Sequence, residues 1–408
     1  MLTGLLRARL RDLHLYASLL FGALFVMAGL TGVPLAWMHE LDAALNPALL
    51  QSRGAAGQAD AAPTPLQVQA AVDRLAAMPA YGKPTQLMLP HAASDVYVAW
   101  YRQPNKAKGA FDTDVSRQVM LDRYTLAVLG ERNWGEFGVS RPLLMPSLFH
   151  LHRYLFAGEV GKTVIGISGL FLTITSLLGL ALWWPKHTLA SLRKALTVRG
   201  ALTSRQFNYS SHRAAGFFMT PVLAVLGFSG MAMNLPEWVR PVVAAVAPLE
   251  PNSKPVNAAA EGRKPINVAA ALEAAQRHLP QGRLSRVSLG SAKAPYEIRL
   301  RQPGEVRQGD GNTRVSVDAI SGAVLRVRDP LAAPAGDTFL NWQYPLHTGE
   351  AFGLPGRVLV SVSGLAPLLF MVTGLVLWLG RRAMHRKARA AAALAAAAPA
   401  TIRHTAAA

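Results

Sequence analysis

Four stretches of the chain carry no Asp, Glu, Lys or Arg: Leu13 to Trp37, Thr163 to Trp184, Ala214 to Leu235 and Val358 to Leu379. Each reaches the roughly 20 apolar residues a helix needs to cross the hydrocarbon core of a bilayer. The pattern predicts four transmembrane helices. The first run is too long for the apolar part of a signal peptide, and no small-x-small cleavage site stands near Pro34–Trp37.

Between the runs the periodicity changes. Pro65 to Met78 sets Leu66, Val68, Val72 and Leu75 at helical spacing, whereas Leu87–Leu89, Val96–Tyr101 and Val119–Leu121 read as strands. Gly54 to Pro65 reads as a linker. The second long polar segment repeats the order: a helix over Ile266–His278, strands around Leu284–Leu289, Tyr296–Arg301, Arg314–Val317 and Ala323–Val327, and a turn at Gln308–Asn312. Each segment is expected to be an α+β module.

The two halves also match residue by residue. An offset of 195 lays His152 on His347, Gly158 on Gly353, Gly161 on Gly356, Ser168-Gly169 on Ser363-Gly364, Gly179 on Gly374 and Trp183 on Trp378. An offset of 198 lays His14 on His212 and Gly29-Leu-Thr-Gly32 on Gly227-Phe-Ser-Gly230; offsets of 200 and 196 align the module helices from Pro65 and Pro265 and the strands from Val119 and Val315. So many matches at nearly one offset imply a tandem duplication. The expected organisation is a four-helix membrane bundle with two α+β modules. It divides as lead-in and first helix (1–38), first module (39–150), second helix with its histidine-bearing approach (151–185), basic connection (186–211), third helix (212–236), second module (237–346), fourth helix with its approach (347–380), and a basic, Ala-rich tail (381–408).

Charge sets the orientation. Arg7, Arg9 and Arg11, then Lys186, Arg193, Lys194, Arg199, Arg205 and Arg213, then Arg381, Arg382, Arg386, Lys387, Arg389 and Arg403 flank the apolar runs on one side, with Asp12 the lone acid among them. The positive-inside rule puts both termini and the middle connection in the cytoplasm of a bacterial inner membrane and both modules in the periplasm. The net charge of +19 is therefore mostly a topology signal, and its division over three short flanks argues against nucleic acid as a partner. With no cysteine, disulfides, thiolate chemistry, Cys-ligated iron–sulfur clusters and covalent haem attachment are excluded. No P-loop, dinucleotide fingerprint, catalytic triad or paired-carboxylate site stands out.

Of eleven histidines, four fall into repeat-matched pairs: His14 with His212 at the cytoplasmic ends of helices one and three, and His152 with His347 ahead of helices two and four. An even number of crossings per half relates the halves by an axis along the membrane normal, so matched residues face one another. Two neutral imidazoles meeting across such an axis can supply both axial ligands of a haem iron. His150 is the rival to His152. His39 lacks a partner and reads as interfacial; His91, His187, His278, His385 and His404 read as solvated. Gly29, Gly32, Gly227, Gly230, Ser168 and Ser363 serve helix packing and clearance for a flat porphyrin equally well. Arg153, Arg213 and Lys162 are candidates for haem propionates, with snorkelling the plainer role. His152 and His347 precede their apolar runs by 11 residues, an upper bound of roughly 16 Å along a helix. That places the outer centre at or above the periplasmic surface, unless Gly158-x-x-Gly161 and Gly353-x-x-Gly356 break the helix.

LHLYASLLFGALFVMAGLTG, HRYLFAGEVGKTVIGISGL, SHRAAGFF and LHTGEAFGLPGR resemble the PepSY-associated transmembrane proteins, and the Val119 and Val315 strands resemble their PepSY-type modules. The resemblance covers nearly all of residues 10–380. It implies an inner-membrane reductase of ferric siderophores with two bis-histidine b haems ligated by His14, His152, His212 and His347. A fused flavin domain carried by some relatives is absent here, which leaves a cytoplasmic or membrane electron donor and a periplasmic iron-uptake partner as expected companions. The alternatives are a non-redox membrane protein whose modules bind or inhibit a periplasmic partner, and a transporter; the latter is disfavoured by uncharged spans.

Overall fold

The computed structural model describes residues 4–54, 60–102, 104–105, 110–111, 115–185, 188–258 and 263–397. Part of the linker after Gly54, Lys186, His187, Arg403, His404 and the end of the Ala-rich tail lie outside the described residues.

The first half runs α1 (Gly4–Leu35), α2 (Met38–Leu45), α3 (Pro47–Leu50), α4 (Pro65–Ala76), β1 (Gln86–Met88), β2 (Tyr97–Tyr101), β3 (Pro104–Asn105), β4 (Ala110–Phe111), β5 (Ser116–Leu121), β6 (Val128–Trp134), α5 (Arg141–Tyr154) and α6 (Gly158–Trp183). The second runs α7 (Leu189–Leu196), α8 (Arg205–Asn234), α9 (Pro236–Ala244), α10 (Val268–His278), β7 (Arg283–Ser288), β8 (Tyr296–Arg301), β9 (Thr313–Val317), β10 (Val324–Arg328), α11 (Ala335–Thr348), a 3-10 turn and α12 (Gly353–Ala397). Four helices are long and apolar enough to cross a membrane: Gly4–Leu35, Gly158–Trp183, Arg205–Asn234 and Glu350–Leu394.

The chain forms two compact units. One holds the described residues up to Gly29, those of Phe171–Ala224 and those from Ser363 on; the other holds those of Leu30–Leu170 and Val225–Val362. In the first unit α1 meets α12 at Gly29, where an added Cβ would strike the carbonyl oxygen of Gly364. In the second, α6 meets α8 at Gly169, where a Cβ would lie 2.6 Å from the Gly227 carbonyl oxygen. These are the same contact one offset apart. Gly29 and Gly227 therefore serve close helix packing.

The second unit also contains the sheet, and here the structure corrects the expectation of two separate modules. All eight main strands join in one antiparallel sheet in the order β10-β9-β8-β7-β1-β2-β5-β6. β1 and β7, each the first strand of its half, pair in the middle, with Leu87 opposite Val287. Those two residues are repeat counterparts, 200 positions apart. Left apart, each half would expose an unpaired edge; joined, they cover one another.

One face of the sheet is apolar, as strand alternation requires. Leu87, Tyr97, Val119 and Leu121 from the first half and Leu284, Tyr296, Ile298 and Val315 from the second are buried under α4 and α10. Each such large side chain contributes about 1.5–3 kcal/mol by leaving water. Thr64 and Gln67 form a capping box at the start of α4. Asn267 caps α10, and Gln69 of α4 adds an acceptor for Val268 N at 2.7 Å.

Both halves tie their last hairpin with one buried aspartate. Asp122 accepts from Tyr124 N, Thr125 N, Arg53 N and the Ser52 hydroxyl. Its counterpart Asp318 accepts from Ile320 N, Ser321 N and Ala258 N. Burial opposes each charge, but the amide donors outweigh it and hold both carboxyls below their ordinary range. The stability they contribute is therefore complete above the unfolded pKa of about 3.9 and is lost as pH falls through the depressed folded value. Asp122→Asn and Asp318→Asn should each cost about 1–3 kcal/mol at neutral pH. Each should also flatten the loss of stability between about pH 5 and pH 2 in thermal melts of the solubilised protein.

Candidate functional site

The approach to each even-numbered span is broken. α5 ends with Leu155 and Phe156 left-handed at φ 51° and 53°, and α6 begins at Gly158 with φ 53°. In the second half α11 ends at Gly349 (φ 80°), and α12 begins at Gly353 (φ 59°) after the turn. The Tyr154 carbonyl packs against Gly161 and the Gly349 carbonyl against Gly356, each leaving no room for a Cβ. Because the helices do not continue, His152 lies against α1 beside Thr31 and Gly32, and His347 against α8 beside Ser229 and Gly230. Thr31 sits six residues inside Trp37, about 9 Å down the helix. The outer pair thus lies within the depth of the apolar runs, and of the two readings of the 11-residue approach the broken helix is the one observed.

The four repeat-matched histidines share one environment. His14 Nδ1 lies 3.0 Å from the Thr175 carbonyl oxygen, and His152 Nδ1 lies 2.9 Å from the Thr31 hydroxyl. His212 Nδ1 lies 2.8 Å from the Thr373 hydroxyl, and His347 Nδ1 lies 3.0 Å from the Ser229 hydroxyl and 3.1 Å from the Leu226 carbonyl oxygen. A carbonyl only accepts, so His14 and His347 carry the proton on Nδ1 and the lone pair on Nε2. The Thr373 hydroxyl donates to the Leu369 carbonyl at 2.7 Å, which leaves it an acceptor for His212 and gives the same tautomer. Each ring turns its Cε1 edge to a helical glycine: a Cβ would come within 3.3 Å at Gly179 (His14), 3.3 Å at Gly32 (His152), 3.2 Å at Gly230 (His347) and 3.9 Å at Gly374 (His212). Gly32 and Gly230 therefore admit imidazoles, unlike Gly29 and Gly227.

His152 and His347 face each other with ring centroids 6.1 Å apart and planes at 66°. Two metal–imidazole bonds of about 2 Å, with half a ring beyond each nitrogen, span roughly 6 Å. That spacing suits two ligands on one ion. In the other unit, His14 and His212 line a single cavity of about 300 Å³ with Gly22, Gly179, Gly216 and Gly374, within the range of cofactor sites. A Cβ on Gly216 would meet nothing within 4 Å, so a flat face is open there. Arg11, Arg213 and Arg381 line the same cavity and suit carboxylates on whatever fills it.

The remaining candidates separate. His150 does not join the pair: it is buried among Trp134, Phe149, Tyr154 and Phe156, with Nδ1 3.0 Å from the Pro146 carbonyl oxygen of its own helix. Lys162 pairs with Glu159 at 2.8 Å, and Arg153 lies 5.3 Å from the Tyr154 ring centroid. Ser168 donates to its own helix at Ile165 and Ser363 contacts Met219 sulfur, both as packing groups. One expectation is corrected: His91, expected to be solvated, is partly buried and lies 3.4 Å from Asp310. His39, which has no repeat-matched histidine, lies 3.4 Å from Asp95, which raises its pKa. His278 and His385 are exposed. Thr31, Ser229, Thr175 and Thr373, the groups that orient the rings, were not singled out from sequence. Thr31 and Ser229 were visible there as matched neighbours of matched glycines.

The family model for the PepSY-associated TM region matches residues 11–381. No curated protein matches the chain. Because His150 fills an aromatic core, His150→Ala should cost about 3 kcal/mol of stability, read as an earlier thermal transition. It should leave the His152–His347 pair in place.

Proposed function

The chain belongs to the PepSY-associated TM region family, and on that premise we propose an inner-membrane electron-transfer protein that reduces ferric siderophores in the periplasm and releases Fe(II) for uptake. His14 with His212 and His152 with His347 would each hold one b-type haem. Haem held by these residues would supply a one-electron couple.

The observation that carries this reading is the recurring imidazole environment: in all four, Nδ1 bonded to a helix hydroxyl or carbonyl and Cε1 towards a glycine, with the lone pair on Nε2 at His14, His212 and His347. Metal-bound histidines need such an outer hydrogen bond to fix tautomer and ring orientation. Among the described residues no three His, Cys, Asp or Glu side chains are grouped to hold an ion by themselves. Two imidazoles per site suit an ion whose other ligands arrive with a macrocycle. The recurrence of one contact at Gly29–Gly364 and Gly169–Gly227, and of one hairpin tie at Asp122 and Asp318, supports the tandem repeat.

The basic flanks orient the His14–His212 end to the cytoplasm, where a soluble or membrane donor would deliver electrons. The broken approaches keep His152 and His347 within the apolar layer beneath the sheet-bearing periplasmic part. There the chain's work is to fix ligands and exclude water, with the acceptor reaching the outer end. An Fe(III) chelate built on hard oxygen donors loosens on reduction, because Fe(II) is held less tightly by them.

Purified protein should show a reducible b-type spectrum. His14→Ala and His152→Ala should each remove one of the two haems while His150→Ala retains both; full haem content in both of the first two variants would sink the assignment. Gly230→Leu, which fills the space against the His347 ring, should also lose the outer haem with the fold intact by circular dichroism. Reduced protein should be reoxidised by a ferric hydroxamate or carboxylate chelate in stopped flow.

A further inference from the structure

The sheet face opposite α4 and α10 is not alike in the two halves. Across β7, β8, β9 and β10 the directly paired residues are Arg286, Arg299, Arg314 and Arg328. Each alternates with a core residue (Val287, Ile298 and Leu300, Val315, Val327), so all four project from the same, opposite face. The counterpart row across β1, β2, β5 and β6 is Gln86, Trp100, Gln118 and Arg132. There the single arginine is closed off: Arg132 donates to Gln118 at 2.7 Å and to Asp42 at 3.0 and 2.8 Å.

Like charges directly opposite on paired strands destabilise a sheet. The ends of the arginine row are neutralised, Arg286 by Asp310 and Arg328 by Glu250 at 3.5 Å. In the middle, Arg299 and Arg314 make no ion pair among the described residues and both are half-buried; the carboxylates that act on them are Asp310, already held by Arg286, and Glu297 of β8, which acts on Arg314. Burial, with Arg314, Arg286 and Arg307 close by, pushes the Arg299 guanidinium down to about 9. Arg307 stacks 4.0 Å over the Tyr344 ring, one turn before His347, and its Nε is buried with no hydrogen-bond partner, as is Nε of Arg286. A cavity of about 120 Å³ opens beside Arg314 and Arg328, floored by Asn312 and walled by Asn341 of α11. The acids at its rim are engaged: Glu250 with Arg326 and Arg328, Asp337 with Arg240, and Asp329 with Gln302.

We infer that Arg299 and Arg314, flanked by Arg286, Arg307 and Arg328, form a docking site for a multiply anionic, carboxylate-bearing ferric chelate. This places the acceptor over the helix that carries His347, and it rests on the reading of the chain as a ferric-chelate reductase. Four guanidinium stems at strand spacing cover about 14 Å, wider than one carboxylate can neutralise. A chelate with several carboxylates spread around one ion matches that width, and guanidinium forks bind such groups bidentately. A neutral or cationic hydroxamate chelate has nothing to offer the row.

The test uses the full-length solubilised protein and Ga(III) citrate, which cannot be reduced, titrated by calorimetry beside a cationic Ga(III) trihydroxamate. The citrate chelate should bind, more weakly as salt rises, and Arg299→Gln and Arg314→Gln should each weaken it about tenfold. Because each variant relieves like-charge repulsion, its melting temperature should hold or rise, which separates lost binding from lost fold. Absent citrate binding, equal binding of the hydroxamate, or variants without effect would overturn the site. So would variants that lose haem absorbance while still binding citrate, since the row would then serve porphyrin carboxylates. A colourless preparation that still binds Ga(III) citrate in this arginine-dependent way would overturn the electron-transfer reading and leave the docking site standing.

Discussion

An imidazole placed between apolar helices must have its N–H satisfied there, because an unpaired buried donor costs about 1–3 kcal/mol. All four repeat-matched histidines meet that demand through a hydroxyl or carbonyl of a helix from their own half. Such an acceptor can be reached only if the ring lies nearly on the neighbouring helix, and this is why the His14, His152 and His347 rings abut glycines. Tautomer, ring position and glycine placement are thus one constraint. The broken approaches answer it too, since an unbroken α5–α6 or α11–α12 rod would carry His152 or His347 away from Thr31 or Ser229.

The second unit adds a frame for the two approach helices. Arg132, buried with Asp42, also donates to the Pro142 carbonyl at the start of α5, and Asn312, just before β9, bonds Asn341 of α11 at 2.8 Å. α5 and α11 are therefore positioned from the sheet as well as from the spans. A buried ion pair of this kind is weak evidence for stability, but its two-point geometry fixes direction.

Much of this was legible in the sequence, and what was not has physical reasons. Uncharged runs announced the spans because bilayer depth is a length requirement, and matched glycines announced both the helix contacts and the breaks. The joining of β1 to β7 was hidden, since an edge strand's partner is a tertiary fact that alternation does not encode. His91 read as solvated because Asp310 lies far along the chain. The choice between His150 and His152 was within reach: two positions on a helix are about 200° apart, so both cannot face the same partner. The arginine row escaped notice because Arg286, Arg299, Arg314 and Arg328 are scattered in sequence and become a row only through register.

The antiparallel pairing of Leu87 with its own counterpart Val287 means that the two copies meet through equivalent edges related by a local twofold. Neither copy is finished by itself. A protein severed in the connection between α6 and α8 would yield two fragments, each with a raw strand border and half of every imidazole pair, and they could be completed only by reuniting.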